Sequence, residues 1–118
     1  MSHTACMALQ PQDVGISAIV AHELYDGAFK SQRASRKVAL VDALQFEVVE
    51  FDHEDARHAG EVRALLAARG APIGPFDVLI AGQAKARELI LVTHNTAEFG
   101  RVAGLRLEDW EQGRGKKR

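Results

Sequence analysis

The sequence predicts an α/β domain built on a mostly parallel sheet with helices covering both faces. Two observations carry that prediction. Along the chain the apolar pattern switches repeatedly between short strand-like runs and helix-period stripes. The strand-like runs are also separated by helix-length segments, the right-handed crossovers that parallel pairing requires.

Residues 14–20, rich in Val and Ile, read as a buried strand. Ala21, Leu24, Tyr25, Ala28 and Phe29 follow at i, i+3, i+4, i+7 and i+8, the stripe of an amphipathic helix. A second helix fits 32–45, with Ala34, Val38, Val41 and Leu44 inward, and 46–51 returns to strand. Asp52 suits the N-cap of the next helix, and Asp55 makes a weak capping box with it. That helix is expected to bury Ala56, Ala59, Val62 and Leu66 and to stop at Gly70. Pro72, Gly74 and Pro75 break the chain before a helix over 76–88. A continuous apolar strand at 89–93, a single turn at 96–99 and a short strand at 105–107 follow.

With 118 residues, 47% hydrophobic and 26% charged, the whole chain (1–118) reads as one domain able to form a core unaided. The single cysteine, Cys6, cannot form an internal disulfide, which points to a reducing, cytoplasmic setting. No apolar run approaches the roughly 20 residues that span a bilayer. Residues 1–11 lack the pattern of a signal peptide, so no membrane partner is expected. A net charge of −1 gives no global argument for a nucleic-acid partner. Locally, Lys30, Arg33 and Lys37 share a helical face, better read as solvated than as a phosphate contact. Residues 111–118, with Arg114, Lys116, Lys117 and Arg118, read as a flexible basic tail, and Trp110 is expected to pack on the sheet.

Ligands of open parallel sheets gather outside the C-terminal ends of the strands, so polar residues there are the candidates. Glu23, in ISAIVAHELYDG (16–27), is expected in the first turn of a helix, opposite the apolar stripe beside Asp26 and Lys30. Its other reading is a solvated acid that complements the helix dipole. Asp77, in APIGPFDVLIA (71–81), has apolar neighbours on either side, and an ionised carboxylate buried there needs a cation, a metal or N–H donors. Otherwise it caps the helix. In LVTHNTAEF (91–99), Thr93, His94, Asn95 and Glu98 follow a strand, where Asn95 could equally serve an Asx-turn or a cap.

The phrases ISAIVAHELYDGAFKS, APIGPFDVLIAGQA and LVTHNTAEFGRVAGLRLEDW, in that order, resemble the PIN domain and its VapC-type branch, the toxins of bacterial toxin–antitoxin pairs. The resemblance implies a three-layer sandwich around a parallel sheet whose acids bind Mg²⁺ or Mn²⁺ to hydrolyse RNA. Carried over, Glu23 and Asp77 are catalytic metal-binding acids. Asn95 stands where a further acid is common, keeping an oxygen and losing a charge, and Glu98 is a substitute metal ligand. An RNA substrate such as a tRNA loop, a VapB-type antitoxin over the acidic cleft and a homodimer are implied with it.

Members of that family begin with a strand ending in Asp, then Thr or Ser and Asn, then a helix. No such segment is present, and the nearest acid, Asp13, precedes the next strand. Residues 1–10 are too short and too rich in Ala, Met and Gln to supply strand and helix. The central strand is therefore expected to be missing, leaving a gap or unpaired edges and a site short of one carboxylate.

Two other functions stay open: a non-catalytic, degenerate PIN domain that binds antitoxin or RNA, and an unrelated α/β domain with a carboxylate site, such as a phosphatase. A zincin is excluded because HExxH would need histidine at Arg57. There is no Cys–His pair around Cys6, no nucleophile elbow at Ser17 and no Gly-rich phosphate loop.

Overall fold

The computed structural model describes residues 6–8 and 14–109; the expectations for Asp13, Trp110 and the tail at 111–118 lie outside them. Within these residues the strands are β1 (Cys6–Ala8), β2 (Val14–Ser17), β3 (Glu47–Val49), β4 (Ile90–Val92) and β5 (Arg106–Glu108). The helices are α1 (Ala18–Lys30), α2 (Ala34–Ala43), α3 (His53–Ala68), α4 (Pro75–Ala86) and α5 (Thr96–Phe99). The strands form one mixed, mostly parallel sheet in the order β3-β2-β1-β4-β5.

The middle of the sheet differs from the expectation of a gap. β1 occupies it, pairing Met7 with Gly15 on one side and with Leu91 on the other. It runs antiparallel to both neighbours, whereas β2–β3 and β4–β5 are parallel. The physical reason is the cost of unpaired backbone in a buried slot. Three residues suffice to pair both inner edges, and Met7 and Ala8 are buried in doing so. The reversed direction sets Cys6 against Val92, at the end of β4.

Ser17 ends β2 earlier than the apolar run predicts. Its hydroxyl accepts the Ile19 N–H at 3.0 Å, so Ile19 and Val20 join the helix. At the next element, Asp52 and Asp55 form the full capping box, and Gly70, at φ 67°, ends α3 in the left-handed region.

The core gathers Met7, Ile16, Val20, Leu66, Leu91 and Phe99 with the inner faces of α3 and α4. Those two helices touch backbone to backbone. A Cβ on Gly82 would lie 2.4 Å from the Ala59 Cα, so only glycine permits that approach. The helical hairpin α1–α2 stands further out than its stripe predicts: α2 buries no residue, and Phe29 and Leu44 are exposed. Ala56 is also exposed, because α3 turns Asp55 inward in its place.

Candidate active site

The C-terminal ends of the parallel strands define one rim. There β2 passes into α1, β4 passes through Thr93, His94 and Asn95 into α5, and Asp109 follows the end of β5. The Pro–Gly–Pro break brings the start of α4 to the same place. Gly74 is its N-cap, Pro75 its first residue, and Asp77 lies in its first turn.

Glu98 joins these pieces. Its Oε2 accepts the Gly74 N–H at 2.7 Å, and its Oε1 accepts from Asn95 Nδ2 at 2.6 Å. A Cβ built on Gly74 would stand 3.2 Å from Asp77 Oδ2 and 3.7 Å from Glu98 Oε2. The missing side chain at Gly74 is therefore what lets two carboxylates converge on one stretch of backbone. Asn95 heads α5 without capping it. Its own N–H is taken by the Thr93 hydroxyl at 3.1 Å, and its amide turns to Glu98, leaving Oδ1 as the amide's ligating atom.

Two expectations about the acids are corrected. Asp77 is half-buried and not enclosed, and Phe76 beside it is exposed, because the first helical turn projects from the rim. Nor is Asp77 the helix cap. Glu23 sits in the second turn of α1, since Ser17 starts the helix early; the first turn holds no acid, which removes the dipole reading. Glu23 is half-buried, while Asp26 pairs with Lys30 on the exposed surface at 3.0 Å. The link to α4 is the His22 ring, which packs against Phe76 with centroids 5.4 Å apart. The neighbours of Glu23 and Asp77 thus touch.

Asp77 and Glu98 are drawn together at Gly74, with Asn95 bonded to Glu98, and Glu23 lies on α1, whose His22 packs on Phe76 of α4. Among the described residues no three His, Cys, Asp or Glu side chains are gathered into a metal cluster. The donor chemistry still fits a hard divalent cation, because Mg²⁺ commonly takes one or two carboxylates and completes its shell with water and substrate.

The deeply buried acid is one that sequence reasoning treated only as a cap. Asp55 is 1% exposed and receives Arg87 Nη2 at 3.0 Å, Gln83 Nε2 at 3.1 Å and the Asp52 N–H at 2.9 Å. Burial pushes its carboxyl up, yet the bonds from Arg87, the Asp52 backbone and Gln83 outweigh this and hold it below the usual carboxylate range. Arg87 also donates to the Glu50 carbonyl at 2.7 Å, so the cluster fastens the end of β3 to α4. It lies toward the opposite end of α4 from Asp77 and is structural. The signal available in sequence was Gln83, a polar side chain on an otherwise small and apolar helix.

Comparison with known proteins gives a consistent result. The PIN domain family matches residues 3–105. The chain is 48% identical over 97 residues to the tRNA(fMet)-specific endonuclease VapC of Shigella flexneri, covering 80% of this chain and 74% of that one. It is 37% identical over 97 residues, with the same coverages, to Ribonuclease VapC2 of Haemophilus influenzae. Among solved structures, DNA-bound VapBC from Salmonella typhimurium superposes with a TM-score of 0.77 at 45% identity, covering 80% of this chain and 73% of that one. VapBC-1 from nontypeable Haemophilus influenzae gives 0.78 at 32%, covering 82% and 74%. A sheet of this order with acids at its C-terminal rim, and relatives this similar over most of its length, have one explanation: the chain belongs to the PIN-domain family, in its VapC branch.

Proposed function

We propose that this chain is a metal-dependent endoribonuclease that hydrolyses RNA phosphodiester bonds as the toxin of a toxin–antitoxin pair. The observation that carries the reading is the convergence of Asp77 and Glu98 on Gly74 at the strand ends, in a chain 48% identical to a named tRNA(fMet)-specific endonuclease. Glu23 and Asp77 hold Mg²⁺ or Mn²⁺, with Glu98 and the Asn95 oxygen at its edge. When bound, such a cation supplies a nucleophile at neutral pH and neutralises charge building on the phosphate. The chain's own contribution is placement. Glu98 fixes the start of α4 and thereby Asp77, while Asn95 fixes Glu98. Distances held this tightly matter because small misplacements of reacting groups cost large factors in rate.

The substrate class is structured RNA with an exposed loop, such as a tRNA. The partner is a VapB-type antitoxin, a reading supported by the solved VapBC complexes that this fold matches. Apolar surface left open at Phe29, Leu40, Phe46 and Val48 also favours a protein partner, since monomers seldom leave such patches uncovered. We read the working unit as a homodimer. No helix of the described residues is long and apolar enough to cross a membrane.

A second reading, a non-catalytic PIN domain that binds antitoxin or RNA, draws on the lack of a three-residue metal cluster among the described residues. One experiment separates them. Purified protein is assayed for Mn²⁺-dependent cleavage of tRNA beside Glu23→Gln and Asp77→Asn variants whose circular dichroism is unchanged. Cleavage lost in both variants supports the nuclease. Cleavage that survives in both overturns the site, and absent cleavage with intact antitoxin binding selects the second reading.

A further inference from the structure

Beside the carboxylates, two arginines hold the other half of the same junction. Arg101 follows Glu98 by three residues, and its Nη1 donates to the Pro72 carbonyl at 2.8 Å. Pro72 lies two residues before Gly74, whose N–H donates to Glu98, so the Cα atoms of Pro72 and Gly74 are within about 8 Å. Arg69, at the C-cap of α3, donates from Nη2 to the Arg101 carbonyl at 3.0 Å. The junction that places Asp77 is thus clamped by a carboxylate at one rung and a guanidinium at the next. Both arginines are exposed, and among the described residues neither has a carboxylate at ion-pair distance.

Each guanidinium spends one of its five N–H donors on a carbonyl and leaves its charge unpaired. The carbonyl bond also restricts the side chain in advance, which lowers the ordering cost that a ligand must overcome. The chemistry matches a phosphate, which guanidinium forks recognise through paired, charge-assisted hydrogen bonds. A substrate phosphate needs such a partner here. The net charge of −1 gives no long-range attraction, and the rim itself presents Glu23, Asp77 and Glu98. We infer that Arg69 and Arg101 form a phosphate-binding subsite that seats an RNA backbone phosphate flanking the cleaved bond. The inference rests on the rim being the nuclease site. The two arginines bind substrate and take no part in the chemical step.

The test measures binding of a stem-loop oligoribonucleotide by fluorescence anisotropy in Ca²⁺, over a range of KCl concentrations. Arg101→Gln and Arg69→Gln should each weaken binding about three- to tenfold at low salt. Each should also make the plot of log affinity against log salt shallower by about 0.7, the share of one contact to a single strand. Arg101→Lys, which keeps the charge, should keep the wild-type slope. Arg57→Gln removes the same charge at the opposite end of α3, about 18 Å along the helix from Arg69, and should change neither slope nor affinity. Wild-type slopes in both glutamine variants, or an equal drop in Arg57→Gln, overturn the inference. A purely structural clamp would lower the urea midpoint and leave the slope alone, which also overturns it. Should Arg101→Gln lose the far-UV circular dichroism of the wild type, Arg69→Gln decides by the same slope. Mn²⁺-dependent cleavage by the wild-type preparation is scored separately. Cleavage with unaltered slopes in the variants leaves the nuclease standing and removes the subsite. Shallower slopes without cleavage keep the arginines as an RNA contact and overturn the nuclease.

Discussion

Glu98 Oε2 accepts the backbone N–H of Gly74 at 2.7 Å, tying the turn after β4 to the first residue of the α4 cap. Because Asp77 hangs from that first turn, the bond sets where its carboxylate stands. Glu98→Ala should therefore act mainly on the metal site. We expect roughly ten- to a hundredfold weaker Mn²⁺ dependence, as for other residues that orient ligands. The stability loss should be near the ~1 kcal/mol of one hydrogen bond. Metal titration of the cleavage rate, beside a urea melt, separates the two quantities. A large loss of stability with unchanged metal dependence would show that Glu98 only holds the fold.

Gly74→Ala tests the same convergence from the backbone side. The added Cβ would meet Asp77 Oδ2 at 3.2 Å, tighter than ordinary contact, and the flexible carboxylate end would yield first. An N-cap change of this size costs under about 1 kcal/mol. Cleavage should fall by about tenfold or more, because the ligand is moved. An unchanged rate would mean that the position of Asp77 does not matter to the chemistry.

The local signals in the sequence were reliable where one short stretch decides the outcome. Asp52 with Asp55 and Gly70 mark helix ends through bonds and angles made within a turn or two and stand where expected, while Pro75 opens α4 one residue before the expected start. Ser17 reads as mid-strand in sequence because the β-branched residues that follow it hide its cap bond. β1 was illegible for another reason. Cys6, Met7 and Ala8 carry no period, and they become a strand only because two distant edges need partners. The site was legible residue by residue but not as an arrangement. Nothing in sequence says that Glu98 reaches Gly74 or that His94 meets Asp109, since loops from different strands create both contacts.

Asp55 predicts how stability depends on pH. Its folded carboxyl titrates below the unfolded value, so its contribution is complete above the unfolded value, about pH 4, and is lost as pH falls through the folded one. Arg87→Met should remove much of that contribution and strand a buried charge. About 2–3 kcal/mol is expected, less than for a fully enclosed pair because 35% of the Arg87 side chain is exposed. Urea melts at pH 7 and pH 3 check it. The gap between wild type and variant should be wide at pH 7 and should narrow at pH 3. A gap of equal width at both would assign the loss to packing of the arginine stem.

Two helical glycines should respond to alanine with opposite signs. Gly60, on the exposed side of α3, has nothing within 4 Å of a new Cβ. Gly60→Ala should gain up to about 1 kcal/mol from helix propensity alone. At Gly82 the same propensity gain is available, but the Cβ would fall 2.4 Å from Ala59 Cα and 2.5 Å from its nitrogen. These are backbone atoms inside α3 and cannot rotate away, so the two helices must separate and open the core around Ala81 and Ala84. Overpacking of this kind costs about 1–3 kcal/mol, enough to outweigh the propensity term. Urea midpoints should therefore move up for Gly60→Ala and down for Gly82→Ala. Two upward shifts would mean that α3 and α4 are not in backbone contact.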